Sequence, residues 1–228
     1  MSGFLKRPGV HGLGALLVVS VLVPLPAAAG PGLFSSTGLE GWMEHRFAER
    51  LDVRYRLKRS AGIRVLEADC KMGASGWHWD EEIDLASTPV LRWRWSVTRL
   101  PEGPSERTRE GDDFAARVYA VVRTGLGPWD VRSVVYVWAR EQPAGTDWPS
   151  GYTEKAHNVA LRSGAADAGL WREERRDLRA DFRRYFGIDA QIVESVALMT
   201  DCDDGGGRAR AAYGDIRVEG AAPGSGAE

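Results

Sequence analysis

Leu91-Arg92-Trp93-Arg94-Trp95-Ser96-Val97 is the stretch whose reading decides the fold. Large apolar side chains occupy every second position, with charged or polar ones between them. A period of two puts the four apolar groups on one face of a β-strand and both arginines on the other. The same rhythm continues on either side. Val53, Tyr55 and Leu57 alternate with Arg54, Arg56 and Lys58. Phe114, Ala116, Val118, Ala120 and Val122 alternate with Ala115, Arg117, Tyr119, Val121 and Arg123. Residues 63–70, 133–139, 158–162, 192–200 and 211–218 are further predicted strands. Gly- and Pro-rich turns at 101–104, 125–128, 143–145 and 205–207 separate them. One segment breaks the rhythm. Leu178, Phe182, Tyr185 and Phe186 recur at helical spacing before Gly187, which predicts a helix over about 173–186. Many short strands and one helix predict a mainly β fold, an antiparallel jelly-roll-like β-sandwich.

The N-terminus carries an address. Lys6 and Arg7 precede an apolar run over 12–23, broken by Pro24 and Pro26 and followed by the small residues Ala27 and Ala29. This pattern predicts a signal peptide over 1–29, cut after Ala29. The run is shorter than the ~20 apolar residues that span a bilayer, and no later run approaches that length. A soluble periplasmic or secreted product is expected, with an uncleaved anchor as the alternative. Residues 30–219 read as one β-sandwich domain and 220–228 as a disordered tail rich in Gly and Ala.

Composition excludes several function classes. Across 228 residues, 32 acidic side chains stand against 30 Lys plus Arg, for a formal net charge of −2. That leaves no basic excess to neutralise phosphates, so no nucleic-acid partner is expected. Two cysteines are too few for a four-thiolate zinc site. The mature histidines His45, His78 and His157 lie far apart in sequence and do not suggest zinc. No Gly-x-Ser-x-Gly elbow, phosphate-binding loop or Gly-x-Gly-x-x-Gly is present. Asp201-Cys-Asp-Asp-Gly205 has its glycine one position early for an EF-hand, and Ala212 stands where the closing Glu belongs.

Several stretches together resemble the bacterial family called domain of unknown function 3047. They are Ala74-Ser-Gly76, Leu91–Trp95, Gly111–Tyr119, Val135–Trp138, Arg162-Ser-Gly164, Glu174–Arg176 with Asp181–Arg184, Leu198–Asp201 and Tyr213–Ile216. The likeness runs from about Trp42 to Val218. It implies an exported bacterial protein and carries no activity to transfer. Cys70 and Cys202 stand where the family pattern suggests small polar residues, and Asp204 where Asn is usual. Two such departures in one chain favour a Cys70–Cys202 disulfide in an oxidising compartment. Two separate thiols are the alternative.

Three constellations carry candidate chemistry. Asp201, Asp203 and Asp204 end one strand and Asp215 lies in the next, an oxygen-only set suited to calcium. The plainer reading is a solvated turn with Arg208 and Arg210 as counter-ions. The second is Asp112-Asp113 with Arg117, an acid–guanidinium set that either grips a polar ligand or joins two strands; Asp113, Arg117 and Tyr119 are expected to share one strand face. The third is a binding face. If Trp93 and Trp95 turn inward, Arg92 and Arg94 turn outward, beside Asp113, Arg117, Tyr119, Tyr136, Trp138, Asn158 and Arg162. Aromatic rings among fixed Arg, Asp and Asn suit a sugar, whose apolar faces stack while its hydroxyls hydrogen-bond. The other tryptophan reading is core, favoured for Trp42, Trp93 and Trp95 and more open for Trp138, Trp148 and Trp171.

The sequence therefore predicts a non-catalytic exported binding module, with carbohydrate or another polar envelope polymer as ligand. A polysaccharide-acting glycosidase or lyase is the first alternative, with Asp113 and either Asp181 or Asp201 facing each other across a cleft. A structural partner in an envelope complex is the second. No cofactor other than calcium is suggested.

Overall fold

A computed structural model describes residues 34, 37–47, 51, 53–127 and 129–220. The expected signal peptide and residues 221–228 of the expected tail lie outside the described residues. The strands are β1 (Met43–Arg46), β2 (Arg54–Ser60), β3 (Ile63–Lys71), β4 (Ala74–Trp79), β5 (Ile83–Asp84), β6 (Val90–Arg99) and β7 (Arg117–Arg123). They continue with β8 (Val131–Ala139), β9 (Asp147–Pro149), β10 (Ala156–Ser163), β11 (Arg172–Asp177), β12 (Ile192–Val193), β13 (Ser195–Asp201) and β14 (Arg208–Glu219). The helix is α1 (Leu178–Phe186).

The strand read first, β6, sits inside a five-stranded sheet of order β11-β6-β14-β3-β2. Leu91, Trp93, Trp95 and Val97 are buried, while Arg92 and Arg94 stand on the outer face. A seven-stranded sheet of order β1-β4-β13-β7-β8-β10-β9 packs against the buried face. Trp93 meets Tyr136 at 5.1 Å and Trp95 meets Trp138 at 6.1 Å between ring centroids, so aromatic side chains of β6 and β8 interlock across the core. The fold is an antiparallel β-sandwich with one parallel pair, β8 with β10. A short β5–β12 ladder completes the strands.

The helix is shorter than the spacing predicts. Residues 172–177 form β11, paired in register with β6. Asp177 ends that strand and caps α1 by accepting the Ala180 amide at 2.9 Å. Gly187 closes it in the left-handed region at φ 68°. Leu178 and Phe182 are fully buried.

Cys70 of β3 and Cys202, just after β13, form a disulfide. Their strands lie in different sheets, so the bond staples one sheet to the other across a sequence separation of 132.

The seven-stranded sheet is covered on part of its outer face too. Phe114 and Trp148 lie over Val135, Val137, Ala139 and Ala160 as a second apolar cluster. Buried Glu106 pins this layer, because its carboxylate accepts the backbone amides of Arg140, Glu141 and Gln142. Its carbonyl accepts the Trp148 indole N–H at 3.1 Å. Where the layer stops, a cleft begins. No described helix is long and apolar enough to cross a membrane.

Candidate functional site

β7 turns Val118, Ala120 and Val122 into the core, so Arg117 and Tyr119 stand on the outer face of the large sheet. The covering layer buries Arg117 there, at 5% exposure. Its Nε donates to Asp201 Oδ1 at 3.0 Å and its Nη1 to Asp112 Oδ2 at 3.4 Å. Its Nη2 donates to Asp201 Oδ2 and to the Asp112 carbonyl. The Phe114 ring lies under the guanidinium, 4.4 Å from its centroid. Asp201 also accepts the Phe114 amide at 2.9 Å.

Asp113 acts differently. It precedes β7, so it does not share the strand face expected for it. Its carboxylate accepts the backbone amides of Asp203, Asp204 and Gly205 at 3.0, 3.2 and 2.7 Å, and so shapes the acidic loop. Gly205 is needed there: a Cβ would meet the Glu102 carbonyl at 2.7 Å and Gly103 Cα at 2.8 Å.

These groups form one end of a cleft of about 420 Å³. Asn158 of β10, fully buried, donates to Asp112 Oδ1 at 3.4 Å. Its own carbonyl, Oδ1, has no hydrogen-bond partner among the described residues. Tyr152, hydrogen-bonded to Asp204, stands beside this polar end. Phe47, Tyr119 and Met199 form the other wall, with the Tyr119 hydroxyl 3.5 Å from Met199 Sδ.

Two buried carboxylates, Asp112 and Asp201, share one guanidinium, and the electrostatics follow. Burial pushes Asp201 up to about 8; Arg117 opposes the rise and the neighbouring Asp113 adds to it. Burial raises Asp112 as well, again against Arg117. Burial would lower Arg117, but the charges of Asp201, Tyr119 and Asp112 and the hydrogen bond to Asp201 together hold it well above its ordinary value. Burial pushes the Tyr119 phenol up to about 12.

The single binding face expected from sequence is divided among four places. Arg117, Tyr119 and Asn158 come together in the cleft, with Asp113 behind it. Arg92 and Arg94 lie on the outer face of the small sheet, in a separate hollow of about 410 Å³. There Arg92 pairs with Glu173 at 2.5 Å, and Arg94 lies over the Trp171 ring. Tyr136 and Trp138 point into the core, where their polar atoms bond Asp181 Oδ2 at 2.6 Å and the Gly164 carbonyl at 3.1 Å. Arg162 reaches instead to Glu174, at 2.7 Å. Asp112 pairs with Arg117 in the cleft, while Phe47, Tyr152 and Met199 are cleft residues that sequence reasoning missed.

The calcium set does not assemble as expected. Asp215 lies in the small-sheet hollow, paired with Arg217 at 2.8 Å. Oxygens of Asp113, Asp201 and Asp203 do approach within 4.8 Å of one another. Asp113, however, is occupied by three amides and Asp201 by Arg117, whose positive charge opposes a cation. This donor set does not fit calcium. The carboxylate pairs expected for an enzyme are also absent from the cleft. Asp181 bonds Tyr136 and Arg176, and Asp113 and Asp201 are both held by hydrogen bonds on the same side.

A family model described as a protein of unknown function, DUF3047, matches residues 40–217. The chain belongs to the DUF3047 family. That span contains every DUF3047 residue placed in the cleft above. No curated protein sequence matches the chain. Among solved structures, this DUF3047 chain is similar to a carbohydrate-binding module specific for non-crystalline cellulose, with 12% identity over 84% of this chain and 94% of the other, at a TM-score of 0.45. It is also similar to the family 12 endoglucanase 3 of Trichoderma harzianum, with 10% identity over 78% and 91%, at 0.43. A third is the xylan-binding domain of Paenibacillus barcinonensis Xyn10C, with 15% identity over 86% and 99%, at 0.35.

Proposed function

We propose that this protein is an exported, non-catalytic binding module whose cleft on the outer face of the seven-stranded sheet holds a carbohydrate. One observation carries the reading: the Asn158 carbonyl is buried and unpaired at a cleft otherwise filled with satisfied polar groups. A buried acceptor without a partner costs about 1–3 kcal/mol, which a ligand hydroxyl would recover. The apolar wall of Phe47, Tyr119 and Met199 suits the C–H face of a sugar ring. Export is proposed from residues 1–29 and places the cleft in the periplasm or outside the cell, where envelope polysaccharide is available.

A glycan array probed with the chain from Gly30 onward tests this. The reading expects binding that Asn158→Ala weakens by about 1–3 kcal/mol while Arg92→Ala leaves it unchanged. Binding insensitive to Asn158 but lost with Arg92 would move the site to the other sheet. Turnover of the bound glycan would show an enzyme.

A further inference from the structure

A second hollow of about 290 Å³ adjoins the cleft across Phe47, Tyr119 and Met199, which line both, and the two together make a trough stepped at that wall. Its floor is made of short side chains, Gly76, Val121 and Ala197, and His78 stands at its far side. From Asn158 on β10 to His78 on β4 the trough crosses β8, β7 and β13. Four inter-strand steps make roughly 19 Å, room for several linked sugar units.

The two ends of the trough differ. Towards β4 the floor is shallow and open. Beyond Asn158 its cross-strand neighbour Trp148, packed with Phe114, is buried on the same sheet face, and we read this as the closed end of the trough. At that end Asp112 and Asp201 share one cation, Arg117, and the buried Asn158 carbonyl is an acceptor without a partner among the described residues. The acceptor needs a donor, either a hydroxyl or an amine. A carboxylate or phosphate placed there would meet like charges in a poorly hydrated corner.

Resting on the carbohydrate reading above, we infer that the trough receives the end of a sugar chain. The terminal unit, carrying no negative charge, lies against Asn158, and the next units run over Tyr119 and Met199 towards His78. A blind end recognises a terminus; a groove open at both ends would take the middle of a chain.

The test is calorimetric titration of the wild-type protein and Ala197→Trp, which fills the second hollow from an outward-facing position. The probes are β-1,4-linked glucose and glucosamine oligomers of one to six units, free or with a bulky group on either chain end, and oligogalacturonate of equal length. The inference expects affinity for the free oligomers to rise about tenfold from one unit to four. In Ala197→Trp the single unit still binds and the rise disappears. Blocking one chain end abolishes binding and blocking the other does not, and oligogalacturonate binds at least about tenfold more weakly. Should Ala197→Trp fail to fold, the end-blocked probes on wild type decide alone. Length-independent binding, tolerance of blocks at both ends, or equal binding of oligogalacturonate overturns the inference and leaves the carbohydrate reading standing. No binding of any free glucose or glucosamine oligomer by folded wild-type protein overturns both.

Discussion

The two outer faces of this sandwich look alike in sequence and differ in physics. Each carries arginines alternating with apolar core residues: Arg92 and Arg94 on the small sheet, Arg117 on the large one. On the small sheet Arg92 pairs with Glu173 in solvent, its side chain 42% exposed, and an exposed Arg217 covers the buried Asp215. On the large sheet a covering layer strips the water from Arg117, Asp112 and Asp201. An exposed pair gains little over its hydrated partners. A buried pair has lost that hydration and depends on every remaining contact. The lesson is that an arginine in a strand pattern says little by itself, and what covers it decides its role.

The largest expected effect tests that contrast directly. Arg117→Met should destabilise the fold by about 3–5 kcal/mol in urea unfolding, because it strands two carboxylates in the interior. Equal losses from Arg117→Met and Arg92→Met would break the comparison.

The faces should also respond to pH with opposite signs. Asp201 titrates near 8 in the folded protein, well above an unfolded aspartate. Between about pH 4 and 8 the folded chain therefore holds a proton that the unfolded chain has released. This contribution is present in full below about pH 4 and is lost as pH rises through about 8. Glu173 is held low, first by its hydrogen bond to Arg92. Its contribution is present above the ordinary carboxylate range and fades as pH falls, and its exposure lets salt screen it. The fall in stability between about pH 4 and 8 should disappear in Asp201→Asn and persist in Glu173→Gln.

The smallest effect is Arg92→Ala, which should cost less than about 1 kcal/mol and less still at high salt. A larger, salt-independent loss would mean that the small-sheet charges are structural.

How much of this was legible in sequence depends on which faces are covered. β6 read correctly because one side is core and the other is wet. β8 did not. Its outer residues Val135 and Val137 lie beneath Phe114 and Trp148, so residues 134–139 are buried on both sides and the alternation fades. With no wet side to read, Tyr136 and Trp138 were assigned outward. The run 172–177 read as helix because it lacks apolar alternation. Its inward residue, Glu174, is buried instead by bonds from Arg162 and the Trp95 indole. Arg117, Tyr119 and Asn158 were legible as cleft residues from strand parity. Asp112 was legible as a partner for Arg117, but Phe47 and Tyr152 were not, since they reach the cleft from outside the strands, where spacing gives no direction. Asp215 was misplaced because nearness in sequence hid that β13 and β14 belong to different sheets.

The account's central claim is that ligand binds on the large-sheet face, between Asn158 and Met199. Nuclear magnetic resonance tests it most directly, following the Met199 methyl and the Asn158 side-chain amide while a neutral β-1,4-linked glucose oligomer is added. The account predicts that these two signals shift together and saturate, while the backbone amides of Arg92, Arg94 and Arg217 stay still. Shifts confined to those three arginines, with Asn158 and Met199 unmoved, would contradict it.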